Sequence, residues 1–373
     1  MKKIINKIQK VDAVLCIAWI LAVVSAFFVH PDKDYLGYID FRSLGILWGL
    51  MVIIQGIKEN SVFDRIAGFL LSKVKKSWQL AAMLIFMCFF GSMLITNDVA
   101  LITFVPFALM ILRECDREDM IIPTVVLQTI AANLGSMLTP IGNPQNLYLY
   151  GISNISLGGF VLTMLPFCLV SAVVLLLLIL IIPGKKSLQK SSSSSITGRL
   201  GSKHQIIIYT VLFAIALSTV LRILPWYVFA IIVLFTVGIM DHKILFRADY
   251  TLLLTFVGFF IFVGNMGRIE VISSFLEKVL VGHEFPVSVA LSQVTSNVPA
   301  TLMLSGFTTD YRSLLIGVNV GGLGTLIASM ASLISYKAYT GEYKEKSGKY
   351  LLVFTSVNVL FLVVLVAAYV LFR

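Results

Sequence analysis

The stretch LTPIGNPQN, Leu138–Asn146, sits in the middle of an apolar segment long enough to cross a bilayer. Pro140, Gly142 and Pro144 fall within five residues of it. The two prolines remove backbone donors and the glycine frees the chain, so the segment reads as a helix that opens halfway. In hydrocarbon an unwound backbone has no water to satisfy it. Such a break is tolerated only where it is buried in protein or lines a cavity. Asn143, Gln145 and Asn146 stand at the same place. Exposed helix ends there would offer a positive dipole to an anion, and freed carbonyls would suit a small cation. The expected role is a binding site rather than a kinked packing helix.

The rest of the chain sets this break in a membrane. Of 373 residues, 58% are hydrophobic and 13% charged, against about 25% charged in an ordinary soluble domain. Apolar runs at about 11–29, 42–57, 121–150, 157–182, 205–222, 225–241, 249–266, 313–337 and 350–371 read as crossings. Two more, about 77–112 and 285–306, begin and end beside loops on one side, and read as re-entrant helical hairpins. The fold class is an all-α polytopic membrane protein. With the N-terminus in the cytoplasm, 22 of the 29 Lys and Arg fall in cytoplasmic segments, 7 outside and none within a span. That topology puts the C-terminus outside, and the lack of long extramembrane domains suggests a prokaryotic inner (cell) membrane. The net charge of +10 comes in short clusters between apolar runs, a positive-inside pattern and not a nucleic-acid surface. Cys16, Cys88, Cys115 and Cys168 are scattered, without disulfide or zinc spacing. No phosphate-binding loop, nucleophile elbow or metal signature is present, which disfavours an enzyme or an ATP-driven pump, and no cofactor is expected.

The two halves repeat. DFRSLGILWGLMVIIQGI from Asp40 aligns with DYTLLLTFVGFFIFVGNM from Asp249, with Gly49 opposite Gly258. TNDVA, Thr96–Ala100, pairs with SNVPA, Ser296–Ala300. NLGSMLTPIGNPQN from Asn133 pairs with NVGGLGTLIASMAS from Asn319, where the glycines of GGLGT, Gly321–Thr325, replace the prolines as the means of opening. The division is a first repeat at 1–183, a Ser-rich cytoplasmic linker at 184–204, a connector span at 205–222 and a second repeat at 223–373. Each repeat crosses four times and the connector once. The second repeat is therefore inverted relative to the first, the architecture of many secondary transporters.

The hairpin tips would carry Thr96, Asn97 and Asp98 in one half and Ser296, Asn297 and Val298 in the other. Hairpins entering from opposite faces would bring these hydroxyls and amides around one cavity near the midplane, with the amides as turn caps being the plainer role. Asp98 is the one carboxylate placed well inside the membrane segments, where a charge costs at least about 2.5–3.5 kcal/mol and is usually functional. It suits a cation or a coupling proton. No Lys, Arg or His is expected at the midplane to hold an anion.

The paired TND and SNV tips, with LTPIGNPQN set against GLGTLIAS, resemble the ion transporter superfamily, most closely its arsenite permease, sodium–proton antiporter and citrate transporter branch. More distantly they resemble the divalent-anion:sodium symporters, whose hairpins carry Ser-Asn-Thr. The resemblance runs from about Asp40 to the end. It implies substrate contacts at Thr96, Asn97, Asn143, Asn146, Ser296, Asn297 and Thr325. The coupling ion, Na+ or H+, would meet Asp98, Asn97, Asn297, Thr139, Gly142, Gly321 and Ser329. It also implies elevator-like alternating access and often a homodimer. Asp98 and Val298 depart from the Thr of the symporters, which points toward the arsenite and antiporter branch. The leading expectation is transport of a small anion, a di- or tricarboxylate such as citrate, coupled to Na+ or H+. The alternatives are a Na+/H+ antiporter using Asp98 and an arsenite or oxyanion permease. A channel, the reading from another class, would need a continuous polar pathway.

Overall fold

The structure, a computed structural model, describes residues 13–181 and 201–372. The N-terminal basic segment and most of the linker expected at 184–204 lie outside these residues. Among the described residues the fold is helical throughout. In order come α1 (Ala13–Ala26), α2 (Phe41–Glu59), α3 (Val62–Ser72), α4 (Ser77–Gly91), α5 (Asn97–Glu114), α6 (Ile121–Ser136), α7 (Pro144–Ile152) and α8 (Leu157–Ile181). Then follow α9 (Lys203–Val220), α10 (Trp226–Leu245), α11 (Tyr250–Arg268), α12 (Glu270–Leu280), α13 (Glu284–Thr295), α14 (Asn297–Ser305), α15 (Tyr311–Val320), α16 (Met330–Glu342) and α17 (Ser347–Phe372).

Six described helices are long and apolar enough to cross a membrane: α2, α8, α9, α10, α11 and the helical stretch ending in α17. The expected spans at 121–150 and 313–337 are each two shorter helices around a break, α6 with α7 and α15 with α16. The segments expected as hairpins are pairs of helices in contact, α4 with α5 and α13 with α14, joined by short connections. The span expected at 11–29 is described as α1, a shorter apolar helix of 14 residues. Helix α9 starts at Lys203, inside the stretch read as linker, because the first turn of a spanning helix can be polar and stand clear of the apolar layer.

Local chemistry explains where these helices begin. Asp40 caps α2 with φ −79° and ψ 82°, accepting from the Ser43 amide at 3.1 Å. Asp249 caps α11 with φ −77° and ψ 82°, accepting from the Leu252 amide at 3.0 Å. The aligned aspartates are thus equivalent N-caps, each satisfying a donor the helix cannot.

Packing crosses between the halves. A methyl group on Gly49 of α2 would stand 2.4 Å from the Phe229 ring of α10, and one on Gly258 of α11 would stand 3.1 Å from Ala18 of α1. The aligned glycines therefore make the two seams α2–α10 and α1–α11, where a side chain on either would push the helices apart. Gly56 receives the Tyr209 ring of α9 in the same way. At the centre runs α6, with residues 124–137 all buried, packed against α4, α5, α8, α16 and α17. Its polar residues, Gln128 and Asn133 among them, are buried with the rest and find partners inside the protein, as Gln128 does with the Leu84 and Phe104 oxygens at 3.2 and 3.3 Å.

Candidate functional site

The two breaks come first, since everything else docks on them. Between Ser136 and Pro144 the chain leaves helical form at 137–143, and between Val320 and Met330 it does so at 321–329. Gly142 packs so closely under α6 that a Cβ would lie 2.1 Å from the Ser136 carbonyl oxygen. Opening a helix frees carbonyls at its C-terminal end, and these need donors. In the first half Asn146 supplies them, its Nδ2 lying 3.3 Å from the Ser136 and Met137 oxygens and 3.2 Å from that of Thr139. In the second half Gln293 of α13 does this work from the hairpin. Its Nε2 donates at 2.9 Å to Gly321 and Leu323, and its Oε1 accepts from the Thr325 amide at 3.0 Å.

Each hairpin turn docks on the break of its own half through matching bonds. The Asn97 amide donates to the Gly142 oxygen at 3.0 Å, and the Asn297 amide to the Ala328 oxygen at 2.9 Å. Thr139 donates from its hydroxyl to the Met93 oxygen at 2.6 Å, and Thr325 to the Gln293 oxygen at 3.0 Å. These hydrogen bonds pair Thr96–Asn97 and Ser296–Asn297 with the breaks in the register the aligned motifs give.

Side-chain amides then join the halves. Asn97 donates to Asn133 Oδ1 at 3.1 Å, and the same oxygen accepts from Ser329 of the other half at 3.0 Å. Asn143 donates to Asn319 Oδ1 at 3.1 Å, while Asn319 donates to Asn146 Oδ1 at 2.7 Å. Asn143 also caps α7, its Oδ1 accepting from the Asn146 amide at 2.9 Å. Asn97, Asn133, Asn143, Asn146, Asn319 and Ser329 are all buried. Asn133 Nδ2 is buried without an acceptor among the described residues, a donor whose desolvation is uncompensated. The N-termini of α5, α7, α14 and α16 come together here, four positive helix ends at one place.

Thr96 is the N-cap of α5, accepting from Val99 at 3.4 Å. Ser296 has φ +78° and ψ 154°, a region open almost only to glycine, and its hydroxyl donates to the Ala328 oxygen at 3.4 Å. Asn297 Nδ2 packs against Gly322. Gly321 closes on Gly317 and Ser292, where a Cβ would be 2.8 Å from either oxygen. Asp98 lies half-buried in the first turn of α5. Its carboxylate has no hydrogen-bond partner among the described residues, while its backbone amide donates to Asn97 Oδ1 at 2.9 Å. Thr325 is exposed at the edge of its break, outside the amide network. No group of three His, Cys, Asp or Glu side chains gathers as a metal site among the described residues.

Three members of the network, Asn133, Asn319 and Gln293, were not among the residues singled out from the sequence. Asn133 and Asn319 open the two aligned motifs, and that shared position was the available signal. Gln293 had none, since Met93 fills the equivalent place.

Residues 4–310 match the model of a family described as citrate transporter. An uncharacterized transporter of Methanocaldococcus jannaschii is 34% identical over 336 residues, covering 88% of this chain and 89% of that protein. The inner membrane protein YbiR of Escherichia coli is 30% identical over 316 residues, 84% of each chain. The silicon efflux transporter LSI3 of Oryza sativa subsp. japonica is 31% identical over 140 residues, covering 38% of this chain and 28% of its own.

Proposed function

The chain belongs to the citrate transporter family, and from that premise we propose that it is a secondary transporter of a small anion, a di- or tricarboxylate such as citrate, driven by Na+ or H+ through alternating access. It is a multipass membrane transporter and not an enzyme. The observation that carries the proposal is the buried amide network at the two breaks, with the unpartnered Asn133 Nδ2 and four helix N-termini around it. An anion can be held there by neutral donors and dipoles, without a fixed cation to trap it. Carbonyls of the same breaks, Gly142 and Ala328 among them, suit a dehydrated Na+ beside the anion.

In this reading the paired helices α4–α5 and α13–α14 are re-entrant hairpins from opposite faces, and the repeats are inverted across the connector α9. Thr96, Asn97, Asn143, Asn146, Ser296, Asn297 and Thr325 contact the substrate. Asp98, Thr139, Gly142, Gly321 and Ser329 serve the coupling ion, with Asn97 and Asn297 shared.

A second reading rests on Asp98. An unbonded carboxylate in the first turn of a helix at the site could exchange Na+ for H+ with no organic substrate. A third reading is the arsenite or oxyanion permease that the motifs resemble, and the partial likeness to a rice silicon efflux transporter is in keeping with an inorganic solute.

The deciding experiment uses purified protein. Thermal stabilisation is recorded with and without sodium across citrate, succinate, sulfate and arsenite, and each hit is followed by uptake into proteoliposomes. Sodium- or proton-dependent uptake of a carboxylate is the expected result. Stabilisation by sodium alone, with proton flux on a sodium gradient, would replace anion symport with antiport.

A further inference from the structure

Away from the amide network, α3 lies alongside the first hairpin and leaves a groove of about 390 Å³ between them. Its walls are Phe63, Ile66 and Leu70 of α3 and Phe86, Phe90 and Leu94 of the α4 side. The lining is almost wholly apolar, and Phe90 and Leu94 are 58% and 59% exposed, so the groove opens on the surface that faces lipid. Its lining along the hairpin runs from Met83 to Ile95. The helical part, Met83 to Gly91, is roughly 12 Å at 1.5 Å per residue, and Leu94 and Ile95 of the turn carry the lining on toward the depth of one leaflet of hydrocarbon, about 15 Å. A small hydrophilic solute does not fit such a surface, whereas one hydrocarbon chain does.

The chain just past the α3 wall is strongly basic, beginning three residues beyond Leu70. The turn from α3 to α4 carries Lys73, Lys75 and Lys76, all exposed and none ion-paired among the described residues. Lys73 reaches back over the Phe69 ring at 5.6 Å. The amides of Lys75 and Lys76 both donate to Gln79 Oε1 at 3.0 Å, which fixes the turn and presents the two side chains outward. Apolar groove and cationic turn are thus in the order of a lipid: headgroup at the surface, chain running inward toward the hairpin turn.

We propose that this groove binds an anionic phospholipid, with one acyl chain between α3 and the first hairpin and its phosphate held by Lys73, Lys75 and Lys76. The chain is as apolar inside the groove as in the bilayer, so the lysines decide which lipid stays. Because α3 reaches the hairpin here through the Phe63–Phe104 edge-to-face contact, with centroids 6.3 Å apart, the bound chain wedges the arm against the hairpin that carries Asn97.

The test is native mass spectrometry of the full-length protein released from mixed micelles holding equal phosphatidylglycerol and phosphatidylcholine of identical chains. The wild type should retain phosphatidylglycerol at least fivefold over phosphatidylcholine. K73Q/K75Q/K76Q, a change confined to an exposed turn, should bring the ratio to parity. L94W, on the exposed wall of the groove, should lose bound lipid of both kinds while the lysines remain. A preserved preference in the triple variant, or an undiminished lipid count in L94W, would overturn the proposal.

Discussion

Asn143 and Asn319, 176 positions apart, meet by a 3.1 Å hydrogen bond between the two broken spans, and Asn319 continues to Asn146 at 2.7 Å. One side chain thus serves as acceptor and donor to both amides of the other break. The halves are held together by neutral groups whose partners can be exchanged for a solute's without moving a charge out of water.

Removing Asn319 tests that link. Asn319→Ala leaves the buried Asn146 Oδ1 without its donor, a loss of about 1–3 kcal/mol. The thermal midpoint should fall and transport should be lost. Asn97→Ala and Asn297→Ala should each abolish uptake while inserting normally, and full uptake in either would remove the hairpin turns from the site.

Ser296 holds a backbone conformation that costs a non-glycine residue about 1–3 kcal/mol. Ser296→Gly should therefore raise the unfolding temperature. It also removes the hydroxyl that bonds the Ala328 oxygen, so uptake should fall at the same time. A variant that is more stable and equally active would show the serine to be incidental.

Gly142→Ala places a methyl against the Ser136 carbonyl, 2.1 Å away on the unrelaxed backbone. The first break must then widen, pulling the Gly142 oxygen from the Asn97 amide. Little folded protein should be recovered by size-exclusion chromatography, whereas Gly158→Ala, with open space around the added carbon, should behave as wild type.

Asp98→Asn keeps the shape and removes the charge. Under cation coupling, the sodium and pH dependence of uptake should shift or vanish. An unchanged profile would make Asp98 structural.

Outside the spans, the Arg268 guanidinium bonded to Asp32 at 2.6 Å holds that carboxyl below the usual carboxylate range, against a smaller opposing effect of burial. A depressed folded value means stability that is present above the unfolded value near pH 4 and lost as pH falls through the folded one. Thermal midpoints of wild type and Asp32→Asn should differ slightly at pH 7 and converge below about pH 4. The gap should shrink in high salt, since the pair is exposed.

Much of this was legible because hydrocarbon is a strict solvent. Spans, breaks and hairpins follow from where apolar runs stop and where Pro140, Gly142 and Pro144 forbid a continuous helix. The aligned Asp40 and Asp249 could be seen as equivalent, and both prove to be caps. Hydrogen-bond partners could not be read this way. Asn319 bonds across to Asn143 and Asn146, an arrangement fixed by how the halves dock and by no local spacing. Gln293 replaces Asn146 as the donor to freed carbonyls because the second break lacks an asparagine at that place, and a glutamine on a neighbouring helix is long enough to reach. Thr325 aligned with Thr139 yet stands exposed, since alignment fixes backbone position and not depth.

The glycine seams also bear on how the chain is made. Gly49 finds its partner ring only when Phe229 arrives, about 180 residues later. At about 5–20 residues per second that interval is roughly 10–35 s. Through all of it, α2 stands in the bilayer with its groove unfilled, while α1 waits still longer for Gly258. Neither seam closes until the second half emerges: α2–α10 waits for Phe229 and α1–α11 for Gly258. A ribosome that stalls after α8 leaves behind an intermediate with both seams open.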